Sequence, residues 1–226
     1  MIPRILEPEV MDSAEEARDY DAMDHRAVNI RFAVDFERHA RPAGLARNSQ
    51  ILDVGTGTAL IPIEIATRLP QVRITAIDLA EEMLSLGRQN VERAGLTSRI
   101  RLERVDAKDL AGWSGMFDAV LSNSIIHHIT EPLTVFREMR RICRLGGLLF
   151  IRDLLRPESE NELNRLVERY AGDANERQRQ LFADSLHAAL TLKEVAGLLE
   201  ATGLAVDAVQ QTSDRHWTVS CVVRRL

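Results

Sequence analysis

Short apolar segments alternate with longer amphipathic segments from residue 50 onward, and this alternation constrains the fold more than any other feature of the chain. Runs of strand length, rich in Ile, Val and Leu, are each followed by a stretch with helical periodicity. Strands that alternate with helices predict an α/β fold with a parallel sheet and right-handed crossovers. The predicted strands are 50–54, 73–78, 99–107, 117–124 and 148–155, and the predicted connecting helices are 60–69, 81–95 and 132–144, the last ended by Gly146 and Gly147.

The two ends of the chain depart from this alternation. Residues 1–48 are predicted to form an N-terminal helical lid segment, with an amphipathic helix over 27–40, and residues 49–226 to form the main domain. Within that domain, polar residues near 157–190 predict a helical insertion after the fifth strand. A further helix over 191–203 precedes two strands, which we expect to be antiparallel because their link is too short for a crossover.

Composition narrows the choice of partners and compartment. The net charge is -5 and the chain has two cysteines, Cys143 and Cys221. An acidic chain gains little from counterion release, so we expect no nucleic-acid partner. Two cysteines make no disulfide framework, no signal peptide is recognisable, and no apolar run reaches the length of a membrane span. A cytoplasmic protein with no membrane partner is therefore expected.

A glycine-containing loop directly after the first strand is the strongest local signal. It reads Asp53-Val-Gly55-Thr-Gly57-Thr-Ala59 and precedes a predicted helix. Glycines allow a tight turn and close approach of a ligand to the backbone, and the helix N-terminus offers free N–H groups. A dinucleotide fingerprint needs a third glycine where this chain has Leu60, so the dinucleotide interpretation fails at one of its three glycines.

The spacing of an acid and three small residues resembles motif I of class I S-adenosylmethionine-dependent methyltransferases, with Ala59 in place of the usual last glycine. The order of later motifs resembles the same family: Asp78 ends the second strand and Asp106-Ala107 the third. The fourth strand ends at Asn123, and a Gly-Gly turn precedes the fifth. The resemblance covers residues 50–153.

This resemblance implies a Rossmann-like sheet of seven strands in the order 3-2-1-4-5-7-6, with strand 7 antiparallel and helices on both faces. It also implies S-adenosylmethionine as cofactor and S-adenosylhomocysteine as product. The acid after the second strand would bind the ribose, the acid after the third the adenine amino group, and Asp53 would lie near the methionine portion. The implied cofactor-binding residues are Asp53, Gly55, Gly57, Asp78, Leu79, Asp106, Ala107 and Asn123.

Residues that follow the fourth and fifth strands are the candidates for acceptor chemistry. The chain has Ser-Asn123-Ser-Ile where some relatives carry Asn-Pro-Pro-aromatic, which favours a small-molecule acceptor over nucleic acid. A neutral histidine can accept a proton near pH 7, so His127 and His128 are candidate bases, with His127 preferred on position alone. Asp153, which ends the fifth strand, is the third catalytic candidate.

Substrate contacts are predicted from topology. Arg152 closes the fifth strand, and the last strand reversal should bring Arg215, His216 and Trp217 to the same edge of the sheet. Tyr20 and Met23 are the candidates from the N-terminal lid segment. No metal is expected, because no nearby Cys or carboxylate triplet has ligand spacing.

Three functions remain open from the sequence. The first is methyl transfer to a small molecule at O, N, S or C; the acceptor and the oligomeric state are not readable. The second is an NAD-dependent oxidoreductase, which Leu60 disfavours. The third is an S-adenosylmethionine-binding protein without turnover.

Overall fold

A computed structural model describes residues 2–7, 15, 17–18, 21, 26–45 and 48–225. The described residues form a seven-stranded sheet in the order β3-β2-β1-β4-β5-β7-β6. The strands are β1 (Gln50–Val54), β2 (Arg73–Asp78), β3 (Ile100–Arg104), β4 (Phe117–Asn123), β5 (Cys143–Leu154), β6 (Val209–Gln211) and β7 (His216–Val222). β7 pairs antiparallel with both β5 and β6, and the other pairings are parallel. The predicted fold class and strand order are confirmed.

Seven α-helices lie in the described part of the chain, and six of them connect the strands. The helices are α1 (Arg26–Ala40), α2 (Leu60–Arg68), α3 (Glu81–Arg93), α4 (Pro132–Ile142), α5 (Glu160–Ala171), α6 (Glu176–Ala188) and α7 (Leu192–Ala201). Short 3-10 turns occupy Ile126–His128 and Val206–Ala208. Among the described residues, no helix combines the length and the apolar character that a membrane crossing requires.

Alternate residues of each central strand feed two separate apolar layers, as the period of a strand requires. In β1, Ile51 packs with helices α1 to α3 on one face of the sheet, and Leu52 packs with α4 and α7 on the other. Phe150 of β5 joins the first layer, where its ring meets Phe32 and Phe36 of α1 edge-on at 5.2 and 5.7 Å between centroids. The amphipathic helix predicted over 27–40 is therefore part of the core.

A third, smaller apolar cluster holds the two helices that follow β5, in the region predicted as a helical insertion, against the end of that strand. Helices α5 and α6 pack together at the end of β5, and Ile2 from the start of the chain is buried with them. The backbone N–H of Ile5 donates to the carbonyl of His187 at the end of α6 (3.2 Å). The segment 2–7 thus lies against the insertion.

The Gly146-Gly147 pair has a different role from the one the sequence predicted. Helix α4 ends at Ile142, before the glycines, and both glycines lie inside the irregular start of β5. Gly146 has φ +80°, and a Cβ at Gly147 would stand 2.9 Å from the Arg144 carbonyl oxygen and 3.0 Å from that of Asp118. Gly146 is favoured by its positive φ, and Gly147 is needed because backbones approach closely at this irregular start of the strand.

Candidate active site

A large cavity opens at the carboxyl ends of the first four strands, where ligands bind in sheets of this topology. It contains about 900 Å³ of empty space and is open to solvent. Seven of the eight predicted cofactor residues line it; the eighth, Asp53, lines a smaller neighbouring cavity. The large cavity is lined by Gly55, Gly57, Ile77, Asp78, Leu79, Ala80, Met83, Val105, Asp106, Ala107, Lys108, Asn123, Ser124, Ile125, His128 and Ile129.

The glycine loop after β1 packs against Ile125, in the loop that follows β4. Gly55 has φ +73°, and a Cβ there would lie 2.1 Å from Cγ2 of Ile125. No other residue fits, for reasons of both backbone conformation and space. The amides of Gly55 and Thr56 donate to the carbonyl of Ile77 (both 2.9 Å), which ties the loop to the end of β2.

Asp78 is held in place by backbone amides of two elements. Its Oδ2 accepts from the N–H of Gly57 (2.8 Å), and its Oδ1 accepts from the N–H of Ala80 (3.0 Å), just before α3. The carboxylate lines the cavity, where a ligand can contact it. A fixed carboxylate of this kind suits the two neighbouring hydroxyls of a ribose.

Asp53 is a buried carboxyl at the wall of the small cavity. Burial raises its pKa to about 7, with Asp78 contributing in the same direction and the hydroxyl of Thr56 opposing it. A buried carboxyl in this condition is stabilised in its charged form by a nearby cation. S-adenosylmethionine carries an ammonium group at its methionine end, so the chemistry of Asp53 fits that end of the cofactor.

The end of β3 supplies a polar group and an apolar wall. Asp106 Oδ1 accepts from the N–H of Lys108 (2.9 Å), which holds the turn after the strand. Val105, Ala107 and Leu79 line the cavity beside it. Apolar side chains with one carboxylate nearby fit a planar base with an amino group.

The loop after β4 carries strain at the cavity. Ser124 has φ +58°, a conformation that costs a non-glycine residue about 1–2 kcal/mol. Its N–H donates to the carbonyl of Arg152 (2.9 Å), so the end of β5 stabilises the turn. This turn presents Ile125, His128 and Ile129 to the cavity; the sequence analysis had selected only His128 of these three.

The structure reverses the preference between the two histidines. His127 is buried at 3% exposure and is not among the residues that line the large cavity, whereas His128 is. His127 Nδ1 lies 2.5 Å from Asp153 Oδ1. Burial alone would lower the pKa of His127, but Asp153 and Glu7 outweigh it and raise that pKa. His127 therefore supports the loop from inside the protein, whereas His128 lies at the cavity; the catalytic role of His127 stays a prediction.

Asp153 is likewise an internal support. Its carboxylate accepts from the N–H groups of Ile126 and Leu154 (2.5 and 2.6 Å) besides binding His127, and the residue is fully buried. Burial raises the pKa of Asp153, but His127 and the two amides together lower it by more, so this pKa lies below its usual value. Asp153 positions His127 and does not reach the cavity.

The segment 2–7 covers this pair, a contact that the sequence analysis missed. The guanidinium of Arg4 donates to the carbonyls of Ala188, His127 and Ile129 (2.7, 3.1 and 3.0 Å). Glu7 Oε1 lies 3.5 Å from His127 Nε2 and 3.1 Å from His128 Nδ1. No local sequence motif predicts these contacts of Arg4 and Glu7, because their partners are distant in the sequence.

Arg152 is also internal and lines neither cavity, so its substrate contact stays a prediction. Its guanidinium pairs with Asp35 of α1 (2.8 Å) and donates to the hydroxyl of Thr218 (2.9 Å). It packs 5.6 Å from the ring centroid of Phe32 and 5.7 Å from that of Phe150. Arg152 joins helix α1 to the sheet.

The last strand pair does not bring its residues to the cavity. Trp217 is fully buried in the core, and Arg215 stacks over the ring of Tyr170 at 3.4 Å. Burial, with Arg215 and Arg152 nearby, lowers the pKa of His216 to about 4. Arg215, His216 and Trp217 line neither of the two cavities, so their substrate roles stay predictions, and Tyr20 and Met23 lie outside the described residues. From α1, Asn29 lines the small cavity.

The comparisons with known proteins agree with this geometry. Residues 51–147 match a family model described as a methyltransferase domain. Residues 51–147 are therefore a methyltransferase domain of class I. The predicted family and its cofactor, S-adenosylmethionine, are thereby confirmed, and the match covers β1 to the first residues of β5.

The relatives of this methyltransferase domain act on different acceptors. A phosphatidylethanolamine N-methyltransferase from Cereibacter sphaeroides is 36% identical over 47% of this chain and 51% of its own length. A ubiquinone/menaquinone C-methyltransferase from Geotalea daltonii is 34% identical over 50% of this chain and 48% of its own length. The chain thus spans about half the length of these curated relatives.

A solved structure extends the likeness to the whole fold. A SAM-dependent methyltransferase from Aquifex aeolicus superposes with a TM-score of 0.67 over 94% of this chain and 100% of its own, at 19% identity. At that identity the likeness concerns the fold alone. The family match does not include segment 2–7 or helices α5 and α6. The role of these parts is therefore inferred from their own contacts.

Proposed function

We propose that this chain transfers a methyl group from S-adenosylmethionine to a small-molecule acceptor and releases S-adenosylhomocysteine. The observation that carries the proposal is one cavity that joins the predicted cofactor residues to the loop bearing His128. The cofactor supplies an electrophilic methyl group on its sulfonium, and the protein supplies orientation and electrostatics.

Each part of the cofactor has a matching group in the chain. Asp78, fixed by two amides, accepts the ribose hydroxyls, and Asp106 accepts the adenine amino group, with Leu79 and Ala107 as walls. Asp53 stabilises the methionine ammonium. The backbone at Gly55 and Gly57 allows close approach, and Asn123, which lines both cavities, adds a polar contact where they meet.

We assign the acceptor end to the loop after β4. His128 lines the cavity and has a polar ring that can hold a hydroxyl, thiol or amine and accept its proton when neutral. Ile125 and Ile129 make the same wall apolar, which excludes water from the reacting atoms. His127 and Asp153 keep this loop in place from beneath.

The N-terminal segment, up to residue 48, is proposed to close the site. Asn29 at the small cavity and Glu7 at the two histidines support this role. We place the activity in the cytoplasm, because the described cysteines are free and the chain has no disulfide framework.

The test is a turnover assay that detects S-adenosylhomocysteine with panels of small hydroxyl, thiol, amine and carbon acceptors. We expect turnover with one chemical class, and His128→Ala should lower kcat by about 100-fold, the usual contribution of general acid–base catalysis. His39→Ala is the matched control, because His39 is exposed on α1 and lines neither cavity. Cofactor binding without turnover on any panel would instead identify a binding protein.

A further inference from the structure

Three potential metal ligands meet where segment 2–7 crosses the loop after β4. They are Glu7, His127 and His128, whose ligand atoms all lie within 4.8 Å of one another. Their side chains are 11%, 4% and 20% exposed. Buried charged or basic groups usually either pair fully or hold an ion, so this cluster calls for an explanation.

The spacing of the ligand atoms suits a tetrahedral ion. Glu7 Oε1 lies 3.1 Å from His128 Nδ1 and 3.5 Å from His127 Nε2. Bonds of about 2.0–2.1 Å in a tetrahedron place neighbouring ligand atoms about 3.3 Å apart. These two distances differ from the tetrahedral value by a few tenths of an ångström, and the distance between the two histidine ligand atoms is at most 4.8 Å.

A carboxylate behind the first histidine completes a pattern common to metal sites. His127 Nδ1 lies 2.5 Å from Asp153 Oδ1, and the Nδ1–H group donates a hydrogen bond to this carboxylate. When the ring is neutral, as metal binding requires, the lone pair of Nε2 is on the side of Glu7. Metal-ligating histidines almost always donate their other N–H in this way, which fixes the tautomer and the orientation of the ring.

Charge and hydrogen bonding also favour a cation at this place. Glu7 Oε1 is buried and has no hydrogen-bond partner among the described residues, although its second oxygen accepts from Ser185 (3.3 Å). The charged groups that act on the cluster are Glu7, Asp153 and Asp184, opposed by Arg4. With neutral imidazoles, these groups leave an excess of negative charge.

We propose that Glu7, His127 and His128 bind a divalent transition-metal ion of the zinc class, with a fourth coordination position left for water. Two imidazoles and one carboxylate are a ligand set that zinc accepts, and they are too few and too nitrogen-rich for calcium or magnesium. The ion joins segment 2–7 to the loop that carries His128, beside the acceptor end of the cavity. Zinc binding and proton acceptance by His128 are alternative states, because an imidazole that ligates through Nδ1 keeps its proton on Nε2. Metal binding is measured without turnover, so its test is independent of the proposed methyl transfer.

The test is a titration of tag-free, chelator-treated full-length protein with cobalt chloride and, separately, with zinc chloride by calorimetry. We expect one equivalent of cobalt to give the intense visible bands of a tetrahedral site, and zinc in equal amount to abolish them. We also expect bound zinc to raise the Tm, because the ion binds the folded chain in preference to the unfolded one.

Variants decide whether this cluster is the site. Glu7→Gln keeps the shape of the side chain and should weaken zinc binding by about 100-fold, and His128→Gln should do the same. Asp153→Asn should weaken it by about 10–100-fold as a group that orients a ligand. Glu160→Gln is the control, because Glu160 also faces a histidine, His187 at 3.8 Å, at the surface. Because a buried variant can fail to fold, circular dichroism of each protein is compared first.

Two results would overturn the proposal. One is the absence of stoichiometric binding by the folded wild-type protein at micromolar metal. The other is binding that Glu7→Gln and Glu160→Gln weaken equally, because the ion would then lie elsewhere on the surface. In either case the cluster is only a contact that fastens segment 2–7.

Discussion

The two ends of the cavity are built in different ways. At the cofactor end, the polar groups lie at the carboxyl ends of β1 and β2 and just after β3, and Asp78 accepts from an amide of the turn that follows it and from one of the glycine loop. At the acceptor end, the loop after β4 is held by Asp153 from β5 and by Arg4 and Glu7 from the start of the chain.

This difference determines which of the two ends can be recognised from the sequence. A loop whose conformation depends on its own glycines and on the adjacent strand end leaves a local motif. A loop whose support comes from three distant segments leaves only an isolated charged residue in each segment. The cofactor end is therefore expected to tolerate loss of a ligand-binding group such as Asp78 without unfolding, whereas loss of a supporting group at the acceptor end, such as Asp153, should destabilise the fold.

The largest effect is expected for Asp153→Ala, which should lower the free energy of unfolding by about 3–5 kcal/mol. The change leaves His127 and the N–H of Ile126 buried without their partner. Urea unfolding measures the loss. Asp214→Ala is the control, because that carboxylate pairs with Arg169 and Tyr170 at the surface and its removal should lower the free energy of unfolding by less than about 1 kcal/mol. Equal losses in both variants would contradict the assigned support role.

The next effect concerns the pH dependence of stability that Asp53 causes. Its folded pKa of about 7 lies above the ordinary value of 3.8, so the folded chain holds a proton that the unfolded chain has lost. The contribution is therefore complete below about pH 4 and is lost as the pH rises toward 7. Relative to Asp53→Asn, the wild type should lose roughly 2 kcal/mol between pH 5 and 7, measured by urea unfolding. Parallel pH profiles for the two proteins would refute this assignment.

A smaller effect, on binding alone, is expected for Asp78→Ala. Lost hydrogen bonds from a charged carboxylate correspond to about 1.5–3 kcal/mol, hence at least tenfold weaker S-adenosylmethionine binding. Calorimetric titration measures it. Asp109→Ala is the control, because Asp109 is an exposed carboxylate that lies outside the cavity lining. Unchanged affinity in Asp78→Ala would remove the ribose contact from the account.

The smallest effect is expected for Ala59→Gly, which restores the glycine that related motifs carry. Ala59 has φ +62°, a conformation that glycine adopts without strain. The gain is offset by the lost methyl group, which is fully buried, so stability should rise by at most about 1 kcal/mol. Thermal unfolding measures the change, and a large loss would show that the methyl group outweighs the backbone strain.

The elements that the sequence predicted correctly are those whose pattern is local. Strand β1 and its glycine loop are local, and so are the helices of the insertion, where Asn175 caps α6 with its side chain. Trp217 shows the limit, because its register on β7 points it into the core, and alternation alone does not say which face a terminal strand buries. His127 shows another, because only the fold brings Glu7 and Asp153 to it.

The central claim is that the large cavity binds S-adenosylmethionine, and calorimetric titration of the full chain with that compound and separately with NAD tests it most directly. The account predicts saturable binding of S-adenosylmethionine with one site per chain, at least tenfold weaker binding in Asp78→Ala, and no binding of NAD. Saturable binding of NAD in the absence of S-adenosylmethionine binding would contradict the account.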